Sequence, residues 1–361
     1  SLVRGEIATT ANKAKPAIID EDGKKYGYIF LPVFYMDTKG GLNGSAADVG
    51  LHLRKLMEEG VNGVIIDLRG NGGGSLDEVV LLASHFLPPN TVTQLRSKND
   101  VKEHIGKLPN AVYNGPLVVM VDEASASASE IFSAVIQDSK RGIIVGSNTY
   151  GKGTAQINTN VGKMGDPAKN IPDINYGSIT LTTQKFYRIS GVSTQLRGVQ
   201  PDVVFQSKMR LHILTEKDYS NTLNNDTIQK ATHLHYVPFM GIDRTIENAN
   251  KRLAANPTFK KIEESLIQLQ LQSKKPVPVD IKRYVEYYLQ ISELEKKIES
   301  LKKLKPSETL SVDFPGINSI APDLRSEIPG YDPRFLIQLS EDIYLKESIQ
   351  ILKDLNTSKN N

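Results

Sequence analysis

The sequence predicts a mixed α+β fold, with an α/β core in residues 1–205 and an all-helical C-terminal domain in residues 206–361. Two observations lead to this prediction. Through residue 150, short apolar runs alternate with segments whose apolar residues recur at helical spacing, which is typical of layered folds with parallel strands. From about residue 206 the chain becomes rich in Lys, Glu and Leu and keeps only helical periodicity.

The core elements alternate along the chain. Short runs rich in Val and Ile, bounded by glycine, predict buried strands. Apolar residues spaced three or four apart predict amphipathic helices between them. A polar stretch over 161–175 predicts a loop, and 184–197 predicts a hairpin. The predicted strands cover 26–34, 61–68, 117–121, 142–146, 176–187 and 199–205, and the predicted helices cover 45–59, 79–86 and the segment that begins near residue 128.

The C-terminal domain is predicted from helical periodicity and from prolines. A stripe of apolar residues steps by three and four, but it spans under three heptads, so packing against the domain is favoured over a free coiled coil. Pro276 and Pro306 mark the ends of this helix, and further helices are expected at 258–272 and 335–355. The stripe consists of Tyr284, Tyr287, Ile291, Leu294, Ile298 and Leu301.

Composition excludes several classes of function. The net charge of +3 over 361 residues is too small to indicate a nucleic-acid partner. No apolar run approaches the ~20 residues of a membrane span. The chain has no cysteine, which rules out a thiol nucleophile, and its 6 histidines show no convincing metal-ligand spacing, with His233-Leu-His235 the nearest approach. We therefore expect neither a metal nor a cofactor.

Three serines alternate with alanines where a predicted strand meets a predicted helix, and a lysine between glycines follows. Serine is a poor nucleophile unless a base takes its proton. A lysine can be that base when burial holds its amine neutral. If the chain is extended after Lys152, the side chains of Lys152 and Gln156 point to one face. The pattern predicts a serine–lysine hydrolase whose nucleophile is Ser125, Ser127 or Ser129.

Two other interpretations compete for these residues. Ser127-Ala-Ser-Glu130 fits a capping box, in which the serine only caps the helix. The segment Gly146 to Lys152 nearly spells a phosphate-binding loop, but Gly153 stands where a hydroxyl must hold Mg²⁺. The residues after Gly153 also resemble a strand rather than the required helix. Phosphate binding is therefore disfavoured, whereas capping stays open.

A second glycine cluster, Arg69-Gly-Asn-Gly-Gly-Gly-Ser75, joins a predicted strand to a predicted helix. A dinucleotide fingerprint would need glycine or alanine in place of Ser75 and an acidic residue near Arg96. Neither is present. The bare N–H groups of such a turn can instead face a developing oxyanion. A tight strand–helix turn without chemistry is the alternative.

Four motifs occur in order: Asp67-Leu-Arg-Gly-Asn-Gly-Gly-Gly, Ser125-Ala-Ser-Ala-Ser-Glu-Ile, Tyr150-Gly-Lys-Gly-Thr-Ala-Gln and Gly198-Val-Gln-Pro-Asp202. Together they resemble the carboxy-terminal processing proteases, specifically the tail-specific protease (Prc) branch. The resemblance is strong over residues 25–205 and weaker through the helical region. It implies a crotonase-like catalytic core and serine endopeptidase activity.

The resemblance also implies a role for each matching position. Ser127 becomes the nucleophile, a choice that spacing alone does not make. Lys152 becomes the general base, and Gln156 positions its amine. Asp138 equally fits a solvated carboxylate at a helix end. The implied oxyanion donors are the N–H groups of Gly73 and Ala128, and the implied supporting residues are Gly74, Glu130, Asp138 and Thr149.

Partners and location follow from the resemblance alone. It implies protein substrates with apolar C-terminal tails, the periplasm or cell envelope of a bacterium, and a tetratricopeptide lipoprotein as a possible adaptor. A peptide-binding PDZ domain is expected upstream of this chain, and residues 1–40 are too short to hold one. The alternative from another class is a catalytically silent scaffold that recruits envelope proteins through its helices.

Overall fold

The computed structural model describes residues 12–36, 44–163, 165, 174–207, 213–233, 238–317 and 330–359. The strands are β1 (Lys15–Glu21), β2 (Lys24–Phe30), β3 (Val64–Asp67), β4 (Thr91–Arg96), β5 (Val101–Ile105), β6 (Leu117–Val121), β7 (Ile143–Gly146), β8 (Thr154–Lys163), β9 (Ile174–Tyr187), β10 (Val203–Val204) and β11 (Ser311–Asp313). The helices are α1 (Ser45–Glu58), α2 (Leu76–Ser84), α3 (Ala128–Asp138), α4 (Ile242–Ala255), α5 (Pro257–Ser273), α6 (Ile281–Lys302), α7 (Pro333–Ser340) and α8 (Ile343–Lys359).

The central sheet has seven strands in the order β10-β7-β6-β3-β2-β1-β11. Strands β2, β3, β6, β7 and β10 are parallel, and β1 and β11 join antiparallel at one edge. Strands β3 and β6 are buried along their whole length, as expected for parallel strands covered on both faces. Since Asp67 pairs with Met120, the turns that leave these two strands meet at the same edge of the sheet.

Each face of the central sheet carries its own core. Alternate strand residues such as Ile66 and Val119 point to one face, where helices α1, α2 and α3 cover them. Their neighbours, such as Ile65 and Val118, point to the opposite face. Helix α8 covers that second face with apolar side chains that include Leu352. The predicted α/β layering is confirmed.

The C-terminal region helps to build the core rather than standing beside it. Helices α4, α7 and α8 contribute to the second core, and strand β11 pairs with β1, with Ile18 opposite Asp313. Among the described residues after 206, the elements are helices joined by irregular segments and one short strand, β11, which belongs to the central sheet. The boundary between residues 205 and 206 stays a prediction about folding units.

Helices α5 and α6 form a separate pair whose small core contains Ile262, Leu266, Leu269 and Ile298. The apolar stripe of α6 packs against α5 in its second half. Near the N-terminal end of α6 it is exposed, since Tyr284 retains 42% of its surface.

Several predicted boundaries differ from the structure, and three of the differences change an element. The predicted loop 161–175 overlaps both strands at its ends, because β8 runs to Lys163 and β9 starts at Ile174. Residues 164 and 166–173 lie outside the described residues. The segment 199–205 contains only a two-residue strand. The single helix expected at 335–355 is two helices, because Asp342 caps a new one.

A second sheet, in the order β5-β4-β9-β8, is antiparallel, and its strands β8 and β9 form a long two-stranded ribbon.

Candidate active site

Ser127 lies at the turn between β6 and α3, immediately before the first helical residue. Its backbone has φ 56° and ψ −111°, an unusual conformation for a residue with a side chain. Strained strand-to-helix turns of this kind present nucleophilic serines in other hydrolases. The side chain of Ser127 is half-buried and therefore remains accessible from solvent.

The two neighbouring serines are structural. Ser125 is fully buried, and its Oγ donates to the carbonyl oxygen of Leu68 at 2.8 Å. Ser129 is fully buried as well, and its Oγ donates to the carbonyl oxygen of Asn71 at 2.9 Å. Both hydroxyls fasten the serine turn to the glycine turn. Of the three candidates, only Ser127 combines exposure with a strained backbone.

One buried carboxylate holds the serine turn and the lysine loop together. Glu130 is fully buried, and its Oε2 accepts the N–H of Ser127 at 2.8 Å and the N–H of Lys152 at 2.9 Å. Its Oε1 accepts the N–H of Gly151 and the hydroxyl of Thr149, both at 2.7 Å. Burial raises the pKa of Glu130 to about 7, although all four hydrogen bonds oppose the rise.

The same contacts explain the partial phosphate-loop pattern. The N–H groups of Gly151 and Lys152, which would cradle a phosphate, donate instead to Glu130. The N–H of Gly153 donates to Oε1 of Gln195 at 2.7 Å. Strand β8, not a helix, follows at Thr154. Carboxylate and amide side chains therefore occupy the donors that a phosphate would need.

The side chain of Lys152, which lies just before β8, meets the side chain of Gln156 on β8. Nζ of Lys152 lies 3.4 Å from Oε1 of Gln156, a long hydrogen bond. Nε2 of Gln156 lies 3.4 Å from the hydroxyl of Thr182 on β9. The register of β8 and β9 shifts between Ala155 and Gln156, and such a bulge redirects a side chain beside a site. The predicted one-face arrangement is present.

The glycine turn after β3 lies against the serine turn. A Cβ built on Gly73 would approach Cβ of Ser127 to 2.8 Å and the amide nitrogen of Ala128 to 3.1 Å. Gly73 has φ +106° and Gly74 has φ +140°, conformations that favour glycine. The carbonyl oxygen of Gly73 accepts the N–H of Phe34 at 2.9 Å. Close approach therefore requires glycine at both positions.

The N–H of Gly73 is engaged in this structure. It donates to Oδ1 of Asn71 at 2.8 Å, so one of the two predicted oxyanion donors points into the turn. Asn71 is fully buried, and its Nδ2 donates to the carbonyl oxygen of Leu31 at 2.8 Å. Its own carbonyl oxygen accepts the N–H of Ala126 at 3.0 Å. Asn71 thus connects the glycine turn to the serine turn.

Asp138 lies away from this constellation. It is the last residue of α3, about 16 Å along the helix from Ser127 at 1.5 Å per residue. Its Oδ2 accepts from Nε of Arg188 at 3.0 Å. The structure therefore places Asp138 in an ion pair at the far end of the helix, whereas it gathers Ser127, Glu130, Thr149 and Lys152.

Comparison with known proteins identifies the family. Residues 25–205 match peptidase family S41, and residues 213–357 match the C-terminal domain of tail-specific protease. The chain belongs to peptidase family S41. The S41 region holds all of the gathered site residues, and the second match covers the helical region.

Two relatives illustrate the similarity of this S41 chain. The tail-specific protease of Haemophilus influenzae is 35% identical over 271 residues, which are 74% of this chain and 37% of that protein. The carboxy-terminal-processing protease of Bartonella bacilliformis is 32% identical over 185 residues, 51% of this chain and 39% of that protein. The chain thus spans under two fifths of the length of these relatives.

Among solved structures, this S41 chain is similar to the photosystem II D1 C-terminal processing protease. The identity is 25% and the TM-score is 0.42, with 54% of this chain and 48% of that chain covered.

Some residues of the S41 site escaped the sequence prediction. Asn71 stands inside the glycine motif and could have been singled out there. Asp122 accepts the N–H groups of Gly70 and Ala124, both at 3.0 Å, and so links the two turns. Thr182 and Gln195 carry no local signal, because they reach the site across a strand pair and a loop.

Within the described residues of this S41 chain, no helix is long and apolar enough to cross a membrane. No cluster of three or more potential metal ligands occurs among the same residues. His233 contacts Glu103 at 2.9 Å, and His235 lies outside the described part of the chain.

Proposed function

We propose that this chain is a serine endopeptidase in which Ser127, Lys152 and Gln156 form the catalytic centre. The observation that carries the proposal is the shared carboxylate of Glu130, which accepts the N–H of both Ser127 and Lys152. One buried group thereby holds the backbone of the proposed nucleophile close to the backbone of the proposed base. A structural helix cap would need only the contact with Ser127.

In the proposed reaction, Oγ of Ser127 attacks the scissile carbonyl while the amine of Lys152 accepts its proton. Gln156 holds that amine in place. The N–H groups of Ala128 and Gly73 stabilise the oxyanion, and Gly73 exchanges its bond with Asn71 for one with the substrate. Lys152 then protonates the leaving amine. Water attacks the acyl-enzyme with Lys152 again as base, which releases the second product.

The test is a set of matched substitutions. Ser127→Ala should abolish hydrolysis of an unfolded reporter protein and labelling by a serine-reactive phosphonate. Lys152→Arg should also be inactive, because a guanidinium keeps its proton. Ser125→Ala and Ser129→Ala are the controls, since their hydroxyls make only structural hydrogen bonds, and they should retain turnover.

Two outcomes would contradict the assignment. If Ser127→Ala hydrolysed the reporter as fast as the parent protein, Ser127 could not be the nucleophile. A folded parent that neither cleaves the reporter nor reacts with the phosphonate at Ser127 would favour the silent scaffold.

We further propose that substrates are selected by apolar C-terminal tails, in a bacterial cell envelope and with a tetratricopeptide lipoprotein as a possible adaptor. The similarity to a tail-specific protease and to a carboxy-terminal-processing protease supports tail-linked processing. We expect a PDZ domain to capture the tail and thereby raise the local concentration of substrate at Ser127. Residues 1–361 alone should then cleave apolar-tailed and charged-tailed peptides at similar rates.

Adding a PDZ-containing upstream segment should restore discrimination between the two tails, measured as the ratio of their kcat/KM values. Strong discrimination by residues 1–361 alone would place recognition elsewhere. The rival surface is the exposed apolar part of α5 and α6, which includes Leu271, Ile281 and Tyr288.

A further inference from the structure

An ion pair connects the C-terminal helices to the glycine turn. Asp342 lies between α7 and α8, and its Oδ2 accepts from Nη2 of Arg69 at 2.8 Å. The other oxygen of Asp342 caps α8, because it accepts the N–H of Tyr344 at 2.8 Å and that of Leu345 at 3.1 Å. A single carboxylate thus starts a C-terminal helix and reaches the catalytic core.

Arg69 is clamped between two carboxylates. Its Nε lies 2.9 Å from Oδ2 of Asp67 and its Nη2 lies 2.6 Å from the same oxygen, while Asp67 also accepts the hydroxyl of Tyr28 at 2.6 Å. The side chains of Asp67 and Asp342 are only 2% and 17% exposed. Charges shielded to this degree interact more strongly than surface pairs and are less screened by salt.

Arg69 opens the turn that carries the proposed oxyanion donor. The next residue, Gly70, donates its N–H to Asp122, and the turn continues to Gly73 beside Ser127. Beside Arg69, a cavity of about 820 Å³ separates this edge of the core from the C-terminal helices. It is lined by Gly70 and Asp122 on one side and by Leu339 and Asp342 on the other. The ion pair therefore spans a gap that packing does not fill.

We propose that Asp342 is a positioning residue for the reaction. Through Arg69, the C-terminal helical region sets the position of the Gly70–Gly74 backbone and hence of the oxyanion donor at Gly73. This inference rests on the proposed peptidase function. It gives the C-terminal region a part in catalysis without placing any of its atoms at the scissile bond.

Asp342→Asn separates this role from capping. Asparagine caps helices as well as aspartate does, so α8 keeps its first turn, whereas the charge that holds Arg69 is lost. Arg69 keeps Asp67 as a partner. We expect kcat to fall about tenfold, because small displacements of catalytic groups are costly, with KM changed less than twofold. Affinity for a peptide boronate, which forms a tetrahedral adduct, should fall by a similar factor.

Peptide binding measured in the Ser127→Ala background should not change on adding Asp342→Asn. The matched control is Asp280→Asn, because Asp280 caps α6 by accepting the N–H of Arg283 and lies outside the glycine turn and its contacts. This control should keep the parental kcat and boronate affinity.

A structural readout separates this inference from the proposed function. In ¹⁵N-labelled protein, Asp342→Asn should shift the amide signals of Gly70, Gly72, Gly73 and Gly74, and Asp280→Asn should not. Unshifted signals would refute the linkage whether or not the chain cleaves peptides. Shifted signals together with parental kcat and boronate affinity would refute a role in catalysis. Absence of hydrolysis by the parent would refute the proposed function together with any catalytic role of Asp342.

Discussion

At the scale of single residues, the site depends on how a buried charge is satisfied. An isolated buried carboxylate is costly, and four donors from two segments offset that cost at Glu130. All four donors reach Glu130 only when the serine turn and the lysine loop lie side by side. The same carboxylate that caps α3 therefore also determines the geometry of the proposed catalytic pair, so the capping and catalytic interpretations of Ser127-Ala-Ser-Glu130 are compatible.

Ionisation of Glu130 should control activity near neutral pH. Because burial raises its pKa to about 7 from an ordinary value of 4.5, the folded protein binds a proton here between those pH values, where the unfolded chain has lost it. The contribution of this group to the free energy of unfolding is therefore full below about pH 4.5 and is lost as pH rises to about 7. Only the ionised form accepts all four donors, so kcat should rise as pH passes through about 7.

The direct measurement is a titration of the ¹³C-labelled Glu130 carboxyl by NMR in the folded protein. Its midpoint should lie near 7, and a midpoint near 4.5 would contradict the role of burial. Glu103 serves as an internal control in the same spectra: burial acts to raise its pKa, but hydrogen bonds from Thr91, Thr232 and His233 outweigh burial and lower the pKa to about 2.

At the scale of elements, strands were predictable where local pattern and tertiary burial agree. Strands β3 and β6 are continuous apolar runs because both faces are covered. Strand β11 was missed because Ser-Val-Asp is short and polar and is fixed only by pairing with β1. The polar stretch 161–175 predicts a loop where β8 ends and β9 begins, because the exposed, polar residues of this ribbon carry no core pattern.

In the site, too, residues with a local sequence signal were predictable, whereas contacts set by the tertiary structure were not. Motif order and the family resemblance it carries single out Ser127 and Lys152 as candidates, since both stand in local glycine- and serine-rich segments. Sequence could not reveal that the N–H of Gly73 binds Asn71, or that Asp138 pairs with Arg188, because both depend on backbone and side-chain directions set by tertiary contacts.

The glycine turn provides a prediction at this scale. Gly73→Ala should lower kcat about 100-fold, the cost of losing one oxyanion donor, because its Cβ would lie 2.8 Å from Cβ of Ser127 and its φ of +106° disfavours a side chain. Gly72→Ala is the matched control, since a Cβ there meets nothing within 4 Å. Steady-state kinetics of both variants, with circular dichroism to verify folding, make the comparison. Equal activities would remove Gly73 from the mechanism.

At the scale of the whole molecule, the regions covered by the two family matches, 25–205 and 213–357, share one hydrophobic core. The second core joins Tyr28, Ile65 and Met120 of the sheet to Leu345 and Ile349 of α8. Removing the C-terminal helices would expose this apolar face to water, which costs a free energy of roughly 25 cal/mol for each Å² of apolar surface exposed. The helical region is thus expected to be part of the folding unit of the core, whatever it also binds.

This shared core predicts that the described regions unfold together. Leu352 of α8 is fully buried, and its side chain lies 3.0 Å from the position of a Cβ on Gly63, next to β3. Leu352→Ala should lower the free energy of unfolding by about 2–5 kcal/mol, as for other leucines removed from cores. Leu271→Ala on α5 is the control, because Leu271 is 62% exposed and its loss should cost no more than about 0.5 kcal/mol. In denaturant titrations, loss of peptidase activity and loss of helical signal should shift together in Leu352→Ala. Two separated transitions, with activity unshifted, would show that the catalytic core folds without its helical cover.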